Sequence, residues 1–305
     1  MQCLLCGSEK ILPEKGRWEK ERTFFLCHDC DTLIFPSYFY RSKETPYSLD
    51  RLWSRESKTG LKKLTWYLEG KFFHFPRYKR DAHLVIKKIR AGGSLLDVGC
   101  GSGERLAIFR ECGFNGEGTE ISLPLVTYVR EKLGLNVHYG SLENLNLPME
   151  KYDAVLLFSV FEHLSTPEET LRIVHTLLKP GGWVIMYIPV TDSLQYPWFR
   201  ERWTHMEKNS GHFFIPSQAG VESILQRNGF RIREWQRCCL RATAGSFAIS
   251  LLSKSSYREV WSENWQGLIW RICGIFFLLF PGMLFALFEH LYGTSPEMLC
   301  FAQKK

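Results

Sequence analysis

The chain has 305 residues, of which 45% are hydrophobic and 23% charged, and its net charge is +7. That length holds one sizeable α/β domain plus a small accessory domain, and the balance is that of a folded soluble protein, not a disordered one. The charge is uneven, with 19 Lys and Arg against 11 Asp and Glu in residues 1–93 and 20 against 21 in the rest. Such an excess is either a solvated basic surface or a face that meets phosphate, on lipid headgroups or on a nucleotide-linked substrate.

The first ten residues, MQCLLCGSEK, lack the apolar core of a secretory signal, so a cytoplasmic protein is expected. Four of the ten cysteines form two CxxC pairs, Cys3/Cys6 and Cys27/Cys30, separated by twenty residues. Two CxxC turns at the ends of a short hairpin supply the four thiolates of a closed structural zinc site. The alternative is four buried thiols without metal. Strands are expected over Arg22–Leu26 and Thr32–Phe35, with His28 outside the ligand set. Residues 37–93 read as a helical connector whose aromatics, among them Trp66, Tyr67, Phe72 and Tyr78, alternate with basic side chains. Core on one face and solvent on the other explains that alternation better than nucleic-acid contact, since no RNA-binding motif accompanies it.

From Ser94 onward, strand, glycine turn and helix alternate. A strand over Ser94–Val98 runs into Gly99, Gly101 and Gly103, and a helix is expected from about Ser102 to Cys112. A dinucleotide fingerprint would place its third glycine at position 104, where a pyrophosphate passes. This chain has Glu104 there, which favours S-adenosylmethionine (SAM), a ligand without phosphate. The next strand, Phe114–Thr119, leads to Glu120, 23 residues after Asp97, where an acid can accept hydrogen bonds from both ribose hydroxyls. Ser122-Leu-Pro124 opens a second helix. A third strand, Asn136–Tyr139, precedes Ser141, Leu142 and Glu143, which stand beside the adenine position. The apolar fourth strand, Tyr152–Phe158, ends in Ser159-Val160-Phe161-Glu162-His163. Thr166-Pro167-Glu168-Glu169 starts a helix that Lys179-Pro180-Gly181-Gly182 interrupts before a fifth strand, Trp183–Ile188.

LLDVGCGSGERL, FEHL, LLKPGGWVIMYIP and the later HFFIPS resemble the class I SAM-dependent methyltransferases over about residues 94–236, with a last strand near 297–302. The cysteine module resembles the zinc ribbon ahead of many bacterial methyltransferases. The resemblance implies a Rossmann-like α/β fold with a seven-stranded sheet and SAM across the carboxyl ends of its strands. It implies that Asp97 holds the methionine end, Glu120 the ribose, and the Ser159–Phe161 backbone the sulfonium region. Relatives carry Asp where this chain has Ser141, so the adenine side departs from the common pattern. A sugar or lipid-linked intermediate of cell-surface glycan synthesis is the acceptor it suggests, methylated at oxygen or carbon. A quinone-type or other small-molecule O-methyltransferase, and a SAM-binding protein without catalysis, are the rival readings. A nucleic-acid acceptor is disfavoured, because no (N/D)PP(Y/F)-type motif follows the fourth strand.

Methyl transfer to a hydroxyl requires alignment and the removal of one proton. His163 and His212 are the candidate bases, with His205 next, and each could instead be structural. The aromatic stretch Tyr196–Trp203 reads as an acceptor lid or as packing. Finally, Ile272–Phe288 holds 17 residues that are apolar or Cys, Gly and Pro, with Pro281-Gly282 predicting a bend or hairpin. A final strand at Met298–Ala302 would keep both ends of this insert, about 240–295, on one side. That leaves an interfacial membrane contact through 268–292, a homodimer interface, or internal packing. The domain plan is therefore a ribbon (1–36), a connector (37–93) and a methyltransferase domain (94–305).

Overall fold

The computed structural model describes residues 1–15, 23–35, 75–90, 92–206, 211–252 and 265–305. Most of the expected connector, with Trp66, Tyr67 and Phe72, lies outside them, as does Arg22. The described part of the connector is helix α1 (Phe75–Ile86), which buries Ala82 and Val85.

Two sheets organise the described residues. The N-terminal one is built from β1 (Ile11–Lys15), β2 (Thr23–Cys27) and β3 (Leu33–Ile34). The expected strands correspond to β2 and β3; β1 was missed, because Pro13 and two flanking charges interrupt its alternation. The main sheet contains β4 (Ser94–Val98), β5 (Asn115–Glu120), β6 (Asn136–Tyr139), β7 (Tyr152–Phe158) and β8 (Leu178–Pro189) in parallel. Two antiparallel strands, β10 (Phe230–Arg237) and β11 (Glu297–Lys304), complete it in the order β10-β11-β8-β7-β4-β5-β6. Between β8 and β10 lies the short β9 (Phe214–Ile215), which belongs to the other sheet, pairing antiparallel with β3.

The helices of the main domain are α2 (Glu104–Glu111), α3 (Leu123–Leu133), α4 (Pro167–Leu177), α5 (Gln195–Phe199) and α6 (Gln218–Arg227). Their periodic apolar positions pack on both faces of the sheet: Leu171, Val174 and Leu177 of α4 on one, Leu106 and Phe109 of α2 on the other. The Lys179-Pro180-Gly181-Gly182 break is real but short. α4 stops at Leu177, β8 begins at once, and residues 179–182 bulge out between the Tyr152–Leu178 and Ala154–Trp183 pairs, with Gly181 at φ 71°.

The apolar insert departs from the expected bend. It forms α7 (Leu240–Leu252) and one continuous helix α8 (Trp265–Leu291), with Pro281 inside it. Proline deprives only the Phe277 carbonyl of its helical donor, and both residues lie on the exposed side. Gly282 lets α8 press onto α7, since a Cβ there would stand 2.9 Å from the Ala244 carbonyl oxygen. A buried carboxylate pins the insert to the domain. Glu289 accepts from Ser193 Oγ at 2.6 Å, Leu194 N at 2.9 Å and Gln195 Nε2 at 3.1 Å. Because β10 ends and β11 begins at the edge where β8 ends, both ends of the insert stand at the carboxyl edge of the parallel strands. Among the described residues no helix is long and apolar enough to cross a membrane.

Candidate functional site

The glycine turn after β4 is shaped by its neighbours. Gly99, at φ 64°, faces Val160 so closely that a Cβ would lie 2.8 Å from a Val160 methyl. Gly101, at φ 57°, has nothing within 4 Å, so the turn opens a space beside its backbone. Gly103, also at positive φ, closes against Val129 of α3.

At the end of β4, Asp97 is 1% exposed, and neither carboxylate oxygen has a hydrogen-bond partner among the described residues. Burial pushes its carboxyl up to about 6, against the pull of the Arg105 guanidinium. Arg105, the second residue of α2, lies over the Tyr78 ring at 4.8 Å and the Phe158 ring at 4.5 Å. Arg77 of α1 stands 5.0 Å from the centre of the Tyr187 ring, and Tyr187 donates to Glu297 at 2.5 Å. The Nε atoms of both Arg77 and Arg105 are buried without a hydrogen-bond partner among the described residues. Arg77 Nη1 also lies 3.9 Å from Glu297 Oε2, and Arg105 Nη1 donates to the Phe158 carbonyl at 3.4 Å. An unpartnered buried carboxylate beside the Arg105 guanidinium fits a zwitterion, such as the amino-acid end of SAM. Sequence reasoning missed both arginines; the position of Arg105 just past the glycine turn was the available signal.

Glu120 closes β5. Its two oxygens accept from Gly101 N and Ser122 N, both at 2.9 Å, so the backbone fixes the carboxylate beside the glycine turn. On the adenine side, Ser141 precedes a 3-10 turn, Leu142 is buried in the core, and Glu143 accepts from Thr170 Oγ1 at 2.6 Å. Ile121, directly after Glu120, is an exposed apolar side chain that the sequence reading passed over.

At the end of β7, Ser159 adopts φ 56°, a left-handed conformation rare for a residue with a β-carbon. The chain then forms a 3-10 turn over Phe161–His163. Phe161 is buried edge-on against Phe214, 5.4 Å between centroids. Here the two candidate histidines meet: the rings of His163 and His212 lie 4.7 Å apart. Burial lowers His163 to about 4 and His212 well below its ordinary value, so both rings are neutral at pH 7. Burial pushes Glu162 the other way, up to about 8. His205 is drawn in too, its backbone carbonyl accepting from His212 Nδ1 at 2.9 Å. The aromatic stretch is packing for the most part: Tyr196, Phe199 and Trp203 are buried, and Trp198 is exposed against Phe285 of α8.

The four cysteines of the N-terminal sheet converge. Cys3 and Cys30 sulfurs lie 3.7 Å apart, those of Cys6 and Cys27 3.5 Å, and all four fall within 4.8 Å of one another. Tetrahedral zinc with Zn–S near 2.3 Å separates its sulfurs by about 3.8 Å, so the set fits that ion.

The methyltransferase domain family matches residues 72–234, just over half of the chain. The ubiquinone biosynthesis O-methyltransferase of Ruegeria pomeroyi is 36% identical over 107 residues, 33% of this chain and 43% of that protein. A dTDP-3-amino-3,4,6-trideoxy-alpha-D-glucopyranose N,N-dimethyltransferase of Streptomyces venezuelae is 32% identical over 109 residues, 34% of this chain and 46% of that one. The chain thus spans less than half the length of these curated relatives. A SAM-dependent methyltransferase from Archaeoglobus fulgidus superposes with a TM-score of 0.51 at 18% identity, over 79% of this chain and 99% of that one. One from Thermotoga maritima gives 0.51 at 16% identity, over 85% and 100%. At that identity the likeness is one of fold. The chain belongs to the methyltransferase domain family, whose enzymes take their methyl group from SAM.

Proposed function

We propose that this protein transfers a methyl group from SAM to an oxygen or carbon of a sugar or lipid-linked intermediate of cell-surface glycan synthesis. The observation that carries the donor half is Asp97, a buried carboxylate with two unpartnered oxygens beside an open glycine turn. The α-ammonium of SAM supplies the missing donors, Arg77 and Arg105 stand ready for its carboxylate, and Glu120 for the ribose hydroxyls. Ile121 and the Ser141–Glu143 turn face the adenine. The transfer is an in-line displacement from a sulfonium, so alignment at the β7 end supplies most of the catalysis.

The acceptor half rests on where the insert stands. Phe277, Phe280, Leu284, Leu287 and Leu291 form an exposed apolar stripe on α8, at the same edge as the donor pocket. A lipid surface is the occupant we assign to it, which puts the protein in the cytoplasm at the inner face of the membrane, where a lipid-linked acceptor is delivered to the pocket. The named activities of the relatives support two acceptor classes, a nucleotide-linked sugar and an intermediate of ubiquinone biosynthesis, and the second is the alternative reading. A structural zinc in the four-cysteine site completes the proposal.

Methyl-labelled SAM incubated with separated lipid, nucleotide-sugar and quinone fractions tests it. Label in the lipid or nucleotide-sugar fraction is expected. Label confined to the quinone fraction would establish the alternative, and SAM binding without transfer to any fraction would mean a non-catalytic protein.

A further inference from the structure

We propose that Glu162, His163 and His212 form a binding site for a divalent first-row transition-metal ion, which receives an oxygen of the methyl acceptor. The three residues come from two places. Glu162 and His163 occupy the 3-10 turn after β7, and His212 stands just ahead of β9. One ligand atom from each lies within 4.8 Å of the other two, as in the cysteine site.

The hydrogen bonds around the two imidazoles fix their tautomers. His163 Nδ1 faces the Gly211 carbonyl at 3.1 Å, and His212 Nδ1 faces the His205 carbonyl at 2.9 Å. A carbonyl oxygen only accepts, so each Nδ1 carries the hydrogen, and in the neutral ring the lone pair belongs to Nε2. Donation of the other ring N–H to a backbone carbonyl is the outer-shell arrangement of metal-ligating histidines. The carboxylate is the second, independent observation. Glu162 is 2% exposed, and its Oε2 is buried without a hydrogen-bond partner among the described residues. A buried carboxylate oxygen in that state is costly unless something positive meets it. The backbone of the same residue is anchored, its carbonyl accepting from Phe213 N at 2.9 Å.

Two imidazoles and one carboxylate suit Mn2+, Fe2+, Co2+ or Zn2+ and leave coordination positions open. An acceptor hydroxyl bound at such a position gives up its proton to water more readily. Its oxygen then bonds to the methyl carbon as the carbon–sulfur bond breaks, and that electron pair stays on sulfur in S-adenosylhomocysteine. In this arrangement the two histidines hold the ion and do not take the proton. The role assigned to the ion rests on the proposed methyl transfer; the site itself does not.

The test is a titration with Mn2+ of the full chain holding one zinc per chain, in its cysteine site, followed by loss of the free-ion electron paramagnetic resonance signal. Thiolates favour softer ions than Mn2+, so the cysteine site stays silent. One bound ion per chain is expected, weakened more than about 100-fold in Glu162→Gln and in His212→Asn. SAM affinity and melting temperature serve as folding controls; should one variant fail them, the other carries the result. Failure of Mn2+ to bind, or binding unchanged in a folded variant, overturns the site. Metal binding without methyl transfer to any fraction would instead count against the proposed function alone.

Discussion

Ser217 joins the N-terminal sheet to the catalytic domain by serving Cys30 and its own helix with one hydroxyl. Its Oγ accepts from Gly220 N at 2.9 Å, capping α6, and donates its hydrogen to the Cys30 carbonyl. Around it, Thr191 Oγ1 donates to the Asp31 carbonyl at 2.9 Å, Arg227 to the Leu5 carbonyl at 2.6 Å, and Leu33 pairs with Ile215. The N-terminal sheet is therefore continuous with the strand that follows His212. Ser217→Ala should lower stability by about 1–3 kcal/mol, since it removes a cap and leaves a buried carbonyl without its donor. Chemical denaturation measures the loss; a change within a few tenths of a kcal/mol would mean the joint is idle.

Gly220 sets two effects against each other. Alanine is favoured over glycine inside a helix by roughly 1 kcal/mol. At this position, however, a Cβ would stand 2.5 Å from Thr32 Oγ1 and 3.1 Å from a Leu5 methyl. The clash should win, and Gly220→Ala should destabilise by about 1–3 kcal/mol. An increase in melting temperature would show that the ribbon is not seated against α6.

Metal removal follows from the same continuity. Chelation, or Cys27→Ser, should strip zinc, lower the melting temperature and loosen β9 with His212, while the donor pocket around Asp97 persists. Metal analysis, thermal melting and SAM titration on one sample separate these effects. Equal loss of SAM affinity and of fold would contradict that division.

Asp97 gives a pH signature. In the free protein its carboxyl titrates near 6, raised by burial from an ordinary value near 4. A raised carboxyl stabilises the fold only while protonated, so its contribution is full below about pH 4 and is lost as pH rises through 6. Asp97→Asn should thus stabilise the free protein at neutral pH by roughly 1–3 kcal/mol. SAM has the opposite need, because its ammonium pairs with the ionised form. Affinity should be flat above about pH 6, fall toward tenfold per unit below it, and drop about 10–100-fold in the variant. Calorimetry at about pH 5 and about pH 7.5 decides; a flat wild-type profile would remove Asp97 from the donor site.

The exposed stripe on α8 predicts lipid binding. Flotation with anionic liposomes should carry the protein upward, and Phe280→Glu together with Leu284→Glu should abolish this without a change in SAM affinity. Recovery of the unaltered protein entirely in the soluble fraction would leave a second copy of the chain, or no partner, as the occupant. Sedimentation would then read the oligomeric state.

The sequence by itself determined the main sheet and the order of the residues proposed to hold the donor. Strand–glycine–helix alternation is a local signal, and β6 and β7 have the expected bounds because their apolar runs end in turn residues. The order Asp97, glycine turn, Glu120 is local as well. Only the tertiary structure decided the rest. That α8 runs through Pro281 depends on Gly282 meeting Ala244 across the pair of insert helices, a contact no local pattern encodes. Arg77 reaches Tyr187 and Glu297 because α1 lies over the sheet, and Glu162, His163 and His212 meet where β9 pairs with β3 outside the main sheet. The segment LLDVGCGSGERL, residues 95–106, carries most of the proposed donor site. The strand β9, held by the N-terminal sheet with His212 just ahead of it near the buried Glu162, is set by contacts between residues up to about two hundred positions apart, which periodicity and motif spacing do not register.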